Sequence, residues 1–211
     1  MPSSAPRKRT RKSPEDRRAE IVAASAAVAL AEGLECVTLR RIAEELGVRP
    51  GLISHYFPSA ENLVAEAFGS AAGAELDALL PADCSGASPL EHLAAFLART
   101  SGPAYDAVSL LWINARHLGR YRPVLGERVA GQEAAWRGRL ADLVRAGTGS
   151  GDFRAGDPVV AATQILVVLD GLSANAGMPE LPAEVARMAV TTAEHALGLP
   201  HGALDPPTAA G

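Results

Sequence analysis

Apolar residues recur along the chain at spacings of three and four, which is the period of a helix that buries one face. Three helix starts are marked by a capping residue followed by proline: Ser13-Pro14, Ser88-Pro89 and Asp157-Pro158. Serine and aspartate accept hydrogen bonds from the free amides of a first turn, where proline loses no partner. With few aromatic residues and abundant alanine, the pattern predicts an all-α fold.

Glycine, proline and small-residue stretches separate the apolar segments and set the predicted boundaries. A glycine-rich loop is expected at 147–156, and a Gly102-Pro103 break ends the fifth helix. Residues 158–169 are apolar on nearly every face, which predicts burial on two sides. About nine helices are expected, over 13–32, 38–46, 50–57, 59–80, 88–101, 104–119, 123–146, 157–169 and 182–197.

The segment 38–57 predicts two short helices joined by a tight turn. Thr38 can cap the first helix, and Gly47 suits the left-handed backbone that leaves it. Pro50 fits the first position of the second helix. We expect Ile53 and Tyr56 to face the core. This is a helix-turn-helix, whose second helix has the size to enter a DNA major groove.

The remaining positions of the second helix face outward and are predicted to contact DNA. Ser54 and His55 can donate to and accept from base edges, and Leu52 can touch a thymine methyl group. Arg40 and Arg41 are candidate phosphate partners. A solvated surface is the alternative for the arginines, and a structural histidine is the alternative for His55. The predicted DNA-contact set is Thr38, Arg40, Arg41, Arg49, Gly51, Leu52, Ser54, His55 and Tyr56.

The order of these residues resembles the DNA-binding domain of the TetR family of one-component regulators. The resemblance covers about 13–68 and rests on Thr38, Ile42-Ala43, Gly47-Val48, Gly51, Tyr56-Phe57-Pro58-Ser59 and Leu63. The segment 51–57 is most similar to repressors of choline-to-glycine-betaine synthesis.

The resemblance implies a three-helix helix-turn-helix domain followed by a helical ligand-binding and dimerisation domain. It further implies a homodimer paired through its last two long helices, a palindromic operator, and a phosphate contact from Tyr56. The chain departs from the family at Ala60, where a phosphate-binding lysine is usual. One basic DNA contact is therefore missing.

These features divide the chain into a disordered basic arm at 1–12, a DNA-binding domain at 13–58, a ligand-binding and dimerisation domain at 59–198, and a flexible tail at 199–211. The charge distribution agrees with this order. The first 60 residues carry ten basic and seven acidic side chains, whereas the remainder has a net charge of −7. A basic end on an acidic body orients a protein on a polyanion.

Several protein classes are disfavoured by what the sequence lacks. The two cysteines, Cys36 and Cys84, have no metal-ligand spacing, so neither a metal nor a cofactor is expected, and a reducing cytoplasm suits them. No apolar run approaches the length of a membrane span. No nucleophile elbow, zinc motif or phosphate loop occurs, so an enzyme is not expected.

Aromatic and polar groups within the apolar helices are the candidates for a ligand site, although for each residue taken singly a place in the helical core is the favoured alternative. Trp112, Trp136 and Asp170 could together hold a cation through ring faces and a carboxylate. A buried Asp170 needs a partner, which could instead be an interhelical hydrogen bond or a buried arginine such as Arg116. The predicted ligand-binding set is Phe96, Trp112, His117, Tyr121, Trp136 and Asp170, and further candidates are Tyr105, Asn114, Gln164 and Asn175.

The expected function is a ligand-responsive DNA-binding repressor that leaves its operator when an unidentified small molecule binds. The alternative keeps DNA binding but assigns the C-terminal domain to dimerisation or a protein partner, without a small-molecule ligand.

Overall fold

The computed structural model describes residues 12–82, 86–100, 105–179 and 181–205. Within these ranges the chain forms ten α-helices, one 3₁₀ turn and no strand, which confirms the all-α prediction. The 3₁₀ turn spans Leu34–Cys36. The helices are α1 (Pro14–Glu32), α2 (Leu39–Glu45), α3 (Pro50–Tyr56), α4 (Ala60–Leu79), α5 (Pro89–Arg99), α6 (Asp106–Gly119), α7 (Pro123–Ser150), α8 (Pro158–Ser173), α9 (Ala183–Ala186) and α10 (Met188–Ala196).

The predicted helix starts are present with their caps. The Ser13 hydroxyl accepts from the Asp16 amide at 3.0 Å, and Asp157 accepts from the amide of Val159 at 2.8 Å. At the start of α5, Ser88 and Glu91 satisfy each other's backbone amides in a capping box. These bonds join residues two or three positions apart, so the local sequence is sufficient to predict them.

One continuous core connects the N-terminal helices to the rest of the chain. Ile21 of α1, Ile42 of α2 and Ile53 of α3 are fully buried together with Leu63 and Phe68 of α4. Helix α4 packs against α1 on one side and α7 on the other. It therefore belongs structurally to both halves of the molecule.

Helix α7 is longer than predicted, because residues 147–150 continue it instead of opening a loop. Gly147 in this added turn is needed for packing, since a Cβ atom there would lie only 2.2 Å from the buried ring of Phe153. Glycine at this position lets the chain fold back and pack Phe153 on the helix. The helix ends at Gly151, which adopts the left-handed conformation with φ 87°.

The C-terminal segment differs from prediction in two ways. The single helix predicted over 182–197 is divided into α9 and α10 at Arg187, whose guanidinium binds Asp205. Residues 199–205 do not form a flexible tail, since Leu204 is only 2% exposed. The Glu194 carboxylate accepts the amide of Gly202 at 2.8 Å and that of Leu204 at 3.2 Å, which holds this segment on α10.

Some predictions concern residues outside the described ranges. These are the basic arm apart from Lys12, the Gly102-Pro103 break, Cys84 and residues 206–211. In the part of the chain that the structure describes, no helix combines the length and apolar character required to cross a membrane.

Candidate DNA-binding surface and ligand cavity

The turn between α2 and α3 has the geometry that its sequence predicts. Thr38 caps α2 by accepting from the Arg41 amide at 3.1 Å. Gly47 has a φ of 61°, and the Val48 amide donates back to the Ala43 carbonyl at 2.9 Å. A residue with a side chain is strained at that φ, so glycine permits this tight exit from α2.

Helix α3 buries one side and exposes the other. Ile53 is fully buried, as predicted, but Tyr56 is only half-buried, and the neighbouring Phe57 fills the core position instead. The ring of Phe57 also carries the Arg18 guanidinium 4.9 Å from its centroid. Tyr56 therefore has part of its surface free for a partner outside the fold.

The predicted contact residues of α3 form an accessible surface. Gly51, Ser54 and His55 are exposed, and Leu52 is half-buried. Ser54 donates to the carbonyl of Pro50 at 3.3 Å, a long bond that solvent or a base could replace. The His55 ring lies edge-on to its neighbour Tyr56, with 5.2 Å between ring centroids.

The three arginines of this surface differ in whether they form ion pairs with carboxylates of the protein. Arg40 Nε donates to Glu44 at 2.9 Å, and Arg41 donates to Glu45 at 2.7 Å. Arg41 also bonds Glu32, and this hydrogen bond is the main cause of its raised pKa. These two guanidinium groups would have to leave carboxylates before binding phosphates.

Arg49, the residue before α3, is exposed and forms no ion pair within the described residues. Of the three arginines, it is the one already free to bind a phosphate.

A cavity of about 240 Å³ lies among α4, α5, α6, α7 and α8, and we call it the aromatic cavity. Of the predicted ligand-binding residues, Phe96, Trp112, Trp136 and Asp170 line it. Tyr105 and Glu75 also line it. The rings of Phe96 and Trp136 lie together, with their centroids 5.9 Å apart. Because these residues come from five helices, no single stretch of sequence reveals the cavity.

Two predicted ligand residues lie elsewhere. His117 and Tyr121 pair with each other at the end of α6, with ring centroids 5.9 Å apart, and neither lines the aromatic cavity. Tyr121 is 76% exposed. Both residues follow the apolar stretch of α6, but the helical turn carries them past the cavity to the surface, so the structure does not bring them together with the other predicted ligand residues.

Asp170 reaches the cavity but has a charge partner within the protein. Its Oδ2 accepts from Arg116 at 2.7 Å, and the same guanidinium donates to Glu133 at 2.9 Å. Arg116 also lies over the ring of Trp112, 5.1 Å from its centroid. Of the partners that the sequence left open for Asp170, Arg116 is therefore the one observed.

The buried carboxylate of the cavity is Glu75, which is not among the residues predicted from the sequence. Glu75 is 9% exposed and accepts hydrogen bonds from the Tyr105 hydroxyl and, at 2.8 Å, from the Trp112 indole. Within the described residues it forms no ion pair. Burial raises the pKa of its carboxyl group, although both hydrogen bonds act in the opposite direction.

A periodicity signal for Glu75 was present in the sequence. Phe68, Ala72, Glu75 and Leu79 succeed one another at spacings of four, three and four, which places all of them on one helical face. The other three are apolar and buried. An acidic residue on the apolar stripe of a helix is the exception that marks a site.

Two structural links join this cavity to the helix-turn-helix. The first is α4, whose early residues Leu63 and Phe68 pack in the N-terminal core while Glu75 lies in the cavity. The second is Asn114 of α6, whose amide bonds both the backbone and a side chain of the 3₁₀ turn. Helix α6 also supplies Trp112 to the cavity.

Two family models match the chain. Residues 21–67 match the bacterial regulatory proteins of the tetR family, and residues 89–198 match the C-terminal domain of BetI-type transcriptional repressors. No curated protein sequence matches.

Solved structures share the fold over most of the chain. A protein described as a transcriptional regulator from Saccharomonospora viridis, solved in complex with choline, is 20% identical with a TM-score of 0.71, covering 87% of this chain and 98% of its own. A protein from Rhodococcus sp. described as a TetR-family regulator is 25% identical with the same score and coverage. Reduced NemR from E. coli is 17% identical with a TM-score of 0.70, covering 87% and 98%.

The helix-turn-helix geometry, the all-helical architecture and the match over more than half of the chain agree. Members of this family are transcription factors rather than enzymes, and they bind operator DNA as dimers. The chain belongs to the TetR family of DNA-binding transcriptional regulators and carries a BetI-type C-terminal domain.

Proposed function

We propose that this regulator is a cytoplasmic repressor that leaves a palindromic operator when a small organic cation binds in the aromatic cavity. The observation that carries the proposal is Glu75, a buried carboxylate whose partners, Tyr105 and Trp112, are both neutral. A buried carboxylate without a counter-ion is costly. A cationic ligand would supply the missing counter-ion, and it would therefore bind more tightly than a neutral ligand of the same shape.

The other groups of the cavity favour a cation over an anion. Glu133 and Asp170 share Arg116, so that arginine is already neutralised. Arg137 also lines the cavity but is solvent-exposed. An anion would therefore be repelled by Glu75 without gaining a buried positive partner.

The aromatic side chains add to this preference. Because Arg116 lies over the ring of Trp112, the rings left to receive a ligand are those of Phe96, Tyr105 and Trp136. A cation over an aromatic face gains about 0.5–2 kcal/mol, and aromatic cages are the usual receptors of quaternary ammonium groups. The S. viridis regulator of the same fold was solved with choline, a quaternary ammonium compound, which supports this ligand class.

On the DNA side, we propose that two copies place their α3 helices in successive major grooves about 34 Å apart. Base contacts would come from Leu52, Ser54 and His55, with Gly51 allowing close approach of the backbone. The backbone contacts would come from Thr38, Arg40, Arg41, Arg49 and Tyr56. A ligand that fits only a different spacing of these helices releases the operator, since it can shift the equilibrium only by its differential affinity.

The test compares choline with 3,3-dimethyl-1-butanol, a neutral molecule of the same shape in which carbon replaces the nitrogen. Choline should raise the melting temperature and give saturable calorimetric binding, because a ligand that binds only the folded state stabilises it. The neutral analogue should bind at least about tenfold more weakly, corresponding to about 1.4 kcal/mol.

Substitutions distinguish the role of Glu75 in ligand binding from that of the acidic residues paired with Arg116. Glu75→Gln should lose about tenfold to a hundredfold in choline affinity, since a charged interaction is replaced by a neutral one. Glu127→Gln, at an exposed position of α7 outside the cavity, should bind as the unchanged protein does. Asp170→Asn should lower stability more than affinity, because it breaks a pair with Arg116.

An operator obtained by selection from random DNA completes the test. Choline should release the unchanged protein from this DNA in a gel-shift assay but fail to release Glu75→Gln. Equal binding of choline and its neutral analogue would reject the cation. Operator binding that responds to neither compound, together with no calorimetric heat, would favour the alternative of a C-terminal domain that serves only dimerisation or a protein partner.

A further inference from the structure

A second cavity of about 490 Å³ adjoins the aromatic cavity, and we call it the outer cavity. Tyr105, Ser109, Leu169 and Ser173 line both cavities, as does Thr100. The two cavities are therefore neighbours that share part of their walls. The outer cavity continues between α6, the end of α8 and α9.

The two cavities differ in chemistry. The aromatic cavity holds the buried carboxylate and the rings, whereas the added walls of the outer cavity are mainly apolar, with Leu172, Ala176, Met178, Leu181 and Ala186 among them. Among the described residues that line only the outer cavity, the one carboxylate is Asp106, which accepts the Gly177 amide at 3.2 Å. The buried carboxylate Glu75 thus lies at one end of the combined space, and mainly apolar side chains line the other.

Size points in the same direction. Cavities that hold small molecules usually measure about 300–1,000 Å³. The aromatic cavity, at about 240 Å³, falls below that range alone, and the two cavities together fall within it. Met178, which lines the outer cavity, is 67% exposed, and an unbranched thioether adapts readily to apolar ligands.

We propose that the effector is an amphiphilic cation, with its ammonium head beside Glu75 and an apolar chain extending past Tyr105 and Ser109 into the outer cavity. This inference rests on the proposed function, because it takes the aromatic cavity as the site of the head. It adds that a compact cation occupies only part of the site and that the apolar chain sets specificity.

The experiment uses the full chain and a series of trimethylammonium cations with methyl, butyl, hexyl and octyl as the fourth substituent. Each methylene that enters the outer cavity should tighten binding about fourfold, from the transfer free energy of about 0.8 kcal/mol per methylene. The gain should stop when the cavity is filled. Octyl sulfate, with the same chain on an anionic head, should not bind.

Two substitutions fill the outer cavity without touching the aromatic one. Ala186→Phe and Ala183→Phe place a ring on exposed positions of α9 that line the outer cavity alone. Either substitution should abolish the increase in affinity with chain length and leave the affinity for tetramethylammonium unchanged. Ala146→Phe, at an exposed position of α7 that lines neither cavity, should leave the whole series unchanged.

The outcomes distinguish this inference from the proposed function. Two results would overturn the role of the outer cavity and leave the cationic effector intact. The first is that tetramethylammonium binds but affinity does not rise with chain length. The second is that affinity rises with chain length and neither α9 variant alters that rise. Failure of every cation to bind would overturn both. A rising series that is flattened by the α9 variants and not by Ala146→Phe supports the inference.

Discussion

Asn114 and Glu35, which lie 79 positions apart, are joined by a 2.8 Å hydrogen bond from the Asn114 amide nitrogen to the Glu35 carboxylate. The amide oxygen of Asn114 accepts from the Leu34 backbone at 2.9 Å. One side chain of α6 therefore holds the 3₁₀ turn that follows α1. Because α6 also carries Trp112 and Arg116 into the aromatic cavity, movement of α6 would be transmitted to the helix-turn-helix.

We expect Asn114→Ala to weaken the coupling between effector and operator. The change leaves the Leu34 amide without its partner, at a cost of about 1–3 kcal/mol in unfolding free energy. The operator dissociation constant, measured with and without choline, should change less on ligand addition than in the unchanged protein, by about 0.5–2 kcal/mol of coupling.

Gln132→Ala is the control for Asn114, because it also removes a side-chain amide that bonds the backbone, here the Gly69 carbonyl at 3.3 Å. It should lower stability and retain the coupling. If both variants reduce the coupling equally, loss of stability and not the Asn114 link is the cause.

His55→Ala and Tyr56→Phe should each weaken operator binding. His55 is exposed and Tyr56 is half-buried, so neither change removes a core side chain. The loss of a base or phosphate contact should cost about 1–3 kcal/mol, or roughly tenfold to a hundredfold in affinity. His117→Ala, the same change at an exposed histidine of α6, is the control in a gel-shift titration. Unchanged affinity in both α3 variants would remove them from the contact surface.

The stability difference between Glu75→Gln and the unchanged protein should depend on pH. Burial raises the pKa of the Glu75 carboxyl group. Its contribution to the free energy of unfolding is therefore favourable while the group is protonated, and this contribution is lost as pH rises from about 4.5 through the raised pKa. Glutamine can keep both bonds, accepting from Trp112 and donating to the Tyr105 oxygen. Relative to the unchanged protein, Glu75→Gln should therefore gain stability as pH rises through this window, by up to about 1.4 kcal/mol per pH unit.

Urea denaturation between pH 5 and 8 measures this dependence. Glu91→Gln is the control, because the pKa of Glu91 is lowered where that of Glu75 is raised. Hydrogen bonds from Ser88 lower the pKa of Glu91, so its contribution is already complete above pH 4.5 and is lost only at lower pH. The stability difference for Glu91→Gln should be constant over the measured range. A constant difference for Glu75→Gln as well would show that its carboxyl group does not titrate there.

Val160→Glu should dissociate the dimer. Val159, Val160 and Val167 of α8 are 50%, 52% and 63% exposed in the single chain, and they line one shallow apolar groove with Thr163 and Gln164. Such a row of exposed apolar side chains on α8 is the surface on which we expect a second copy to pack through α8 and α10. A buried charge there would oppose association.

Light scattering at micromolar concentration should find a dimer for the unchanged protein and a folded monomer for Val160→Glu. Leu110→Glu, at a 49% exposed position of α6, should remain dimeric. A monomer in the unchanged protein would refute the dimer, and a dimer in Val160→Glu would place the interface elsewhere.

The sequence alone determined the features that depend on near neighbours in the chain. Helix caps at Ser13, Ser88 and Asp157, the turn at Gly47 and the start of α3 at Pro50 each arise from bonds or backbone preferences within a few residues, so they could be predicted without the fold. The order of these residues was also sufficient to identify the family.

Tertiary structure decided which side chains share a site. Glu75 meets Tyr105 and Trp112 from 30 and 37 positions away, and only the packing of α4 against the later helices joins them. The same packing pairs Asp170 with Arg116 and leaves Tyr121 exposed to solvent. Periodicity gives the buried face of a helix, but not which helix it faces, because contacts between distant segments depend on how all of the helices pack together.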